Sequence, residues 1–127
     1  MKTQLDQTKP FRTKDGSVIR ELMHPMHHGN AKQSLAHATV EAGNHTYCHY
    51  HRISEELYHI TSGRCEVILD DKVFKLEVGD TLLIPAGTRH YLRNSGTAPV
   101  ELLCMCSPPY SHEDTVLVDK PSDCESK

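Results

Sequence analysis

The 127-residue sequence contains no long apolar run and no cluster of basic residues. No segment approaches the roughly twenty apolar residues of a transmembrane helix, and the first residues, MKTQLDQTKPF, lack the apolar stretch of a signal peptide. The net charge of −3, without a run rich in lysine or arginine, gives no reason to expect binding to nucleic acid or to a membrane surface. We therefore expect a cytoplasmic protein that binds neither.

The sequence also lacks helical periodicity and internal repeats of useful length. From residue 33 onward, short runs of strand-forming residues alternate with turn signals. The predicted strands are 34–41, 46–52, 56–61, 64–70, 73–77, 81–84, 88–94 and 99–106. Short strands at this spacing predict an all-β sandwich or barrel, and the length predicts one domain with one core.

Three regions are expected along the chain: an N-terminal hairpin or arm at 1–30, a barrel at 31–118 and a disordered tail at 119–127. The hairpin is predicted from PFRT and SVIREL, with Gly16 in the turn, and HPMHHGN after it is predicted to be a loop. A strand at about residues 8–22 is suited to joining the sheet of a second copy, so we expect a homodimer. The apolar segment 115–118 should lie along the barrel or along that partner subunit.

Histidine is abundant: the chain has ten, and five of them fall between residues 37 and 59. His49 and His51 are two residues apart in a predicted strand, so their side chains point to one face, and Glu56 begins the next strand. Imidazole and carboxylate suit divalent Fe, Mn, Ni, Cu or Zn, and the lack of cysteine at these positions argues against a closed structural zinc site. The alternative is a histidine-rich surface hairpin, which a further ligand downstream would exclude.

Such a ligand, His90, follows a short apolar strand and a Pro-x-Gly turn. With it, the chain resembles the cupin superfamily, whose members carry two motifs with fixed internal spacing. The first motif, with HxH, a glutamate and a glycine at each end, is matched by Gly43, His49, His51, Glu56 and Gly63. The second, with Pro-x-Gly, a histidine and an asparagine, is matched by Gly79, Pro85, Gly87, His90 and Asn94.

The resemblance implies a single-domain double-stranded β-helix, or jelly-roll barrel, with one divalent metal ion per chain. By motif position its ligands are His49, His51, Glu56 and His90, which leave two adjacent positions open on an octahedral ion. Glu55 also satisfies the interval after His51, but only Glu56 keeps the interval to Gly63. A slip of one residue would turn every side chain of that strand to the other face, so we expect Glu56 inward and Glu55 outward.

The same alternation places two tyrosines, Tyr47 and Tyr58, toward the barrel interior near the ion. Tyr58 is a candidate catalytic residue, since a phenol there can donate a hydrogen bond or a proton, with simple packing as the equal alternative; for Tyr47 packing is favoured. His59, Arg89 and Tyr91 should face away. Cys104 and Cys106 share one face of their strand and are predicted to be small buried hydrophobes rather than a second metal site.

Three functions fit this pattern. The first is a metalloenzyme acting on a small organic molecule, of the dioxygenase, decarboxylase, isomerase or lyase type. The second is a non-catalytic module in which the metal anchors a sugar or carboxylate ligand. The third, a structural barrel without metal, is disfavoured by the intact ligand set. An enzyme is favoured over a binding module because the ion keeps open positions and no helix-turn-helix segment is visible to use a sensor.

Overall fold

A computed structural model describes residues 1–118 of the chain, and these residues form an almost entirely β structure. The helical segments are a 3-10 turn, Leu5–Gln7, and one short helix, α1 (Pro25–His28). The strands are β1 (Phe11–Arg12), β2 (Val18–Met23), β3 (Ser34–Val40), β4 (His49–His51), β5 (Glu55–Ser62), β6 (Arg64–Leu69), β7 (Lys72–Glu77), β8 (Thr81–Ile84), β9 (His90–Arg93), β10 (Val100–Ser107) and β11 (Thr115–Leu117).

The strands form two antiparallel sheets that face each other. One has the order β1-β2-β3-β10-β5-β8 and the other β11-β4-β9-β6-β7. Successive segments of the chain thus pass from one sheet to the other, as in a double-stranded β-helix, so the predicted fold class is confirmed. The apolar core lies between the sheets, where Ile60, Val67, Val100 and Leu102 are at most 1% exposed.

Gly63 sets the register of β5. It adopts a φ of +75°, and a Cβ there would clash with the carbonyl oxygen of Pro99. Any other residue would therefore strain the backbone and push it away from the start of β10. With this turn fixed, Glu56, Tyr58 and Ile60 are buried, whereas Glu55 is exposed.

All eight predicted barrel strands are present, most with ends within one residue of those expected. The exceptions are the strand predicted at 88–94, which begins at His90, and the strand predicted at 46–52, which shortens to β4 because residues 46–48 follow an irregular path. The segment HPMHHGN is not a plain loop but contains α1, because His24 caps the helix by accepting from the Met26 amide at 3.1 Å and Gly29 ends it with a φ of +84°.

The N-terminal hairpin is present, and its second strand joins the sheet of the same chain. β2 pairs with β1 on one side and with β3 on the other, and β1 forms the edge of this sheet. The homodimer stays a prediction. β11 pairs with β4, which places the segment 115–117 along the barrel. The tail at 119–127, predicted to be disordered, lies outside the described residues.

Candidate metal centre

Four buried side chains converge at one end of the barrel: His49, His51, Glu56 and His90. β4 supplies two of the histidines from one face, β5 the glutamate and β9 the third histidine, which pairs directly opposite His49. One donor atom from each residue lies within 4.8 Å of all the others. The set is the one predicted from the spacing, and its role as a set of metal ligands stays a prediction.

Hydrogen bonds at the far nitrogen of each ring turn the near nitrogen, Nε2, toward this point. Nδ1 of His49 donates to the carbonyl of Tyr47, and Nδ1 of His90 donates to that of Thr88, both at 2.8 Å, because a carbonyl can only accept. Nδ1 of His51 lies 3.1 Å from the hydroxyl of Thr115. That hydroxyl already donates to the Ser111 carbonyl, so it accepts from His51. Each neutral ring therefore presents a lone pair on Nε2.

The glutamate also presents an acceptor to this point. Oε1 of Glu56 lies 3.2 Å from Nε2 of His51 and 3.7 Å from Nε2 of His90. Neither Glu56 Oε1 nor His90 Nε2 has a hydrogen-bond partner, although both are fully buried. Buried polar atoms are almost always satisfied, and lone pairs that face one another without a partner between them fit a bound cation. The donor set of imidazole and carboxylate suits a divalent transition ion.

The protonation behaviour of the site agrees with this arrangement. Burial would raise the pKa of Glu56, but the neighbouring rings of His51 and His90 hold that pKa well below its usual range, so the carboxylate is ionised. Burial, together with the charge of His90, lowers the pKa of His49 to about 4, which keeps that ring neutral. Burial also acts to lower the pKa of His51, but the adjacent Glu56 carboxylate outweighs it and raises the pKa.

Tyr58 lies beside the four residues, as the alternation along β5 predicted. Its ring is 4% exposed and 6.2 Å from the ring of His90. Burial and the charge of Glu56 raise its pKa well above the ordinary value, so the phenol stays protonated. Its catalytic role stays a prediction.

The prediction for Tyr47 is wrong. This side chain is 54% exposed and lies outside the barrel, because Tyr47 precedes β4 and the alternation of a strand does not extend into irregular backbone. His59 and Arg89 face away from the site as expected. Tyr91 also faces away but is buried, in a small second cluster with Cys48 and Ile68.

Asp15 is the residue that sequence analysis missed. Its Oδ2 lies 3.4 Å from Nε2 of His49, and its side chain is 15% exposed. Burial would raise its pKa, but the charge of His49 and hydrogen bonds from Ser17 and Thr13 lower it. In the sequence, Asp15 and Gly16 indicate only a turn, and no spacing rule links a turn in the first hairpin to histidines more than thirty positions later.

A small cavity of about 50 Å³ lies beside Glu56, the one residue of the four that lines it. Its wall is largely apolar and includes Leu92, Leu102, Cys104 and Cys106, while Ile60 lies deeper in the core. Both cysteines are free thiols. Burial raises the pKa of both thiols, so they line the cavity in protonated form. Arg20 and Arg52 do not line it.

Comparison with known proteins agrees with the fold and the site. The family model for the cupin domain matches residues 36–106, and an uncharacterized protein of Methanocaldococcus jannaschii is 48% identical over 94% of this chain and 95% of its own length. The chain belongs to the cupin domain family.

Two other similar proteins come from Streptomyces. Polyketide synthase CurC of Streptomyces cyaneus is 34% identical over 75% of this chain and 62% of its own length. The structure of the polyketide cyclase RemF from Streptomyces resistomycificus matches with a TM-score of 0.79 at 17% identity, covering 98% of this chain and 89% of that one, and so shows the shared fold. Within residues 1–118, no helix has the length and apolar character needed to cross a bilayer.

Proposed function

We propose that this protein is a metal-dependent enzyme that binds one divalent ion and acts on a small organic molecule. The observation that carries the proposal is the convergence of three imidazole lone pairs and a carboxylate, two of whose atoms are buried without a partner. His49, His51, Glu56 and His90 would hold the ion, which when bound would act as a Lewis acid and hold the reacting molecule in place.

The residues around the four ligands support catalysis rather than structure alone. The hydrogen bonds to the Tyr47, Thr88 and Thr115 oxygens fix the rings before any ion binds, and such fixed outer partners strengthen metal binding. Tyr58 lines the cavity and is placed to donate a hydrogen bond to a molecule bound there. The apolar wall would exclude water and favour an organic substrate over a highly charged one.

The names of the relatives point in the same direction. CurC is called a polyketide synthase and RemF a polyketide cyclase, so aromatic or enolic molecules are a reasonable first class of substrate. The alternative is a non-catalytic module in which the metal anchors a sugar or carboxylate. A dioxygenase activity, a homodimer and a cytoplasmic location stay predictions.

Metal analysis followed by a substrate screen tests the proposal. Protein purified anaerobically without added metal should contain, or after reconstitution at neutral pH accept, one equivalent of Fe, Mn, Ni, Cu or Zn per chain. Oxygen uptake and product formation are then measured with small phenols, diketones, thiols and keto acids. Much less than one equivalent of metal would contradict the site. A full equivalent with ligand binding but no turnover of any class would favour the binding module.

A further inference from the structure

The turn between β1 and β2 packs beside the four-residue centre, where Asp15 approaches His49. The Tyr47 amide donates to the Asp15 carbonyl at 2.7 Å, and Lys14 Nζ donates to the Thr115 carbonyl at 2.7 Å. Gly16 has a φ of +89° and lies against the ring of Tyr47, where an added Cβ would be 3.3 Å from the nearest ring carbon. Contacts to β11 and to the segment before β4 therefore hold the turn in place.

Within this turn, the two oxygens of Asp15 have different surroundings. Oδ1 accepts from the Thr13 hydroxyl at 2.7 Å, from the Ser17 amide at 2.9 Å and from the Ser17 hydroxyl at 2.7 Å. Oδ2 instead faces Nε2 of His49 at 3.4 Å. Because Nδ1 of His49 donates to a carbonyl, its neutral ring turns a lone pair toward Oδ2. Three donors thus fix the carboxylate so that its free oxygen is aimed at the centre.

Asp15 lies near the centre, but its carboxylate is not one of the four groups that converge there. The four converging donor atoms lie within 4.8 Å of one another, and Asp15 is outside that group. Its free oxygen is therefore placed to contact a molecule held by an ion rather than the ion itself. The unpartnered atoms of Glu56 and His90 independently indicate that something binds at this point.

We propose that Asp15 is the residue that selects the ligand of the metal centre, by accepting a hydrogen bond from a hydroxyl of the bound molecule. The proposal rests on the proposed function, since it requires the ion. A divalent charge beside the carboxylates of Glu56 and Asp15 leaves no net positive charge at the site. The residues lining the cavity include these two carboxylates and that of Glu21, but no lysine or arginine. The site therefore selects neutral molecules with a hydroxyl, such as enols or phenols, over carboxylate anions.

Ligand titrations of the cobalt-substituted protein test this assignment. Azide serves as the anionic probe and catechol as the neutral hydroxyl probe, and binding is followed by the visible spectrum of Co(II). Asp15→Asn keeps the size of the side chain but removes its charge. We expect one Co(II) per chain as in the parent, at least tenfold tighter binding of azide, and at least tenfold weaker binding of catechol.

Two control variants separate selection from a merely structural role. Glu55→Gln removes the same charge from an exposed neighbour of the site and should leave both titrations unchanged. Ser17→Ala removes one donor to Oδ1 but keeps the charge, so it should weaken catechol binding without strengthening azide binding. If Asp15→Asn does not fold, Asp15→Ser removes the same charge and takes its place.

The outcomes distinguish the two proposals. Failure of the parent protein to take up Co(II) would overturn the metal-dependent function itself. Normal Co(II) uptake, with the same ratio of azide to catechol affinity in the parent and the Asp15 variant, would overturn only the assignment of Asp15. The same change in Glu55→Gln as in Asp15→Asn would also overturn it, because the effect would then be one of overall charge.

Discussion

Two positions of β5, Glu56 and Ile60, are both buried but chemically opposite. At one end Glu56 is 6% exposed and faces three histidines, and at the other Ile60 is 0% exposed and faces Val67, Val100 and other apolar side chains. Tyr58 lies between them. Burial of Ile60 stabilises the fold by about 1.5–3 kcal/mol relative to leaving it exposed. Burial of an ionised carboxylate costs free energy unless it is paired.

This difference separates the residues that stabilise the barrel from the residues that suit a function. Apolar side chains at position 56 and at the positions around it would stabilise the fold at least as well as a buried carboxylate with an unpartnered oxygen. The polar end therefore reflects a function that uses those atoms, while the apolar end carries stability. If the two ends are independent in this way, substitutions at one should leave the property of the other unchanged.

The largest effect on folding is expected at the apolar end. Ile60→Ala removes a fully buried side chain and should lower the free energy of unfolding by about 2–5 kcal/mol. Four residues along a strand span about 13 Å, so the folded variant should still bind one metal ion. Denaturant titration measures the loss, and the exposed Leu83 provides the control: Leu83→Ala should change stability by less than about 0.5 kcal/mol. Loss of metal binding by folded Ile60→Ala would show that the two ends are coupled.

The largest effect on metal binding is expected at the polar end. Glu56→Ala should weaken binding well over tenfold because it removes a charged ligand, while the fold loses little. Glu55→Ala, one position away on the exposed face, should keep the affinity and stoichiometry of the parent. Isothermal titration with Zn(II) or Mn(II) compares the two variants. The opposite result would mean that the register of β5 is wrong.

The sequence rules that we used relate residues that are close in the chain, and this decides which regions they predicted correctly. Along β4, β5 and β9, alternation and motif spacing are local, and they correctly placed His49, Glu56 and Tyr58 on the inner face. They failed at Tyr47 because the backbone there is not a strand. Asp15 was missed for a different reason: its approach to His49 depends on how a hairpin packs over the barrel, which no local pattern encodes.

The fold was predictable for the same reason. Turn residues and short alternating runs indicated the barrel strands. Glycines indicated the turns where the backbone needs a residue without a Cβ, as at Gly63. The partner of β2 was not predictable, because an edge strand can pair with its own sheet or with another subunit through the same backbone hydrogen bonds. The structure shows pairing with β3 of the same chain.

Acid should weaken the polar end while leaving the apolar end intact. A metal ligand must be a neutral imidazole, and His51 has a raised pKa, so it gains a proton first as the pH falls. We therefore expect the metal dissociation constant to begin rising at a pH above the ordinary imidazole value of ~6.5, and to rise about tenfold per pH unit as the pH falls further, from displacement of one proton. His49, with a pKa lowered to about 4, should not contribute above pH 5. Metal titrations between pH 5 and 7.5 measure this, and an affinity independent of pH would contradict it.

The smallest effect is expected from a residue that touches the centre only through His51. Thr115 is 2% exposed and its hydroxyl accepts from Nδ1 of that ring, so Thr115→Val would leave the ring without its partner. Loss of such an outer partner weakens metal affinity by about 10-fold, whereas Thr115→Ser keeps the hydroxyl and should restore it. The proton on Nδ1 gives an independent measure: its NMR signal should persist in the parent and in Thr115→Ser but exchange with water in Thr115→Val. If Thr115→Val lowers affinity while that signal persists, the loss comes from the packing of β11 rather than from the orientation of His51.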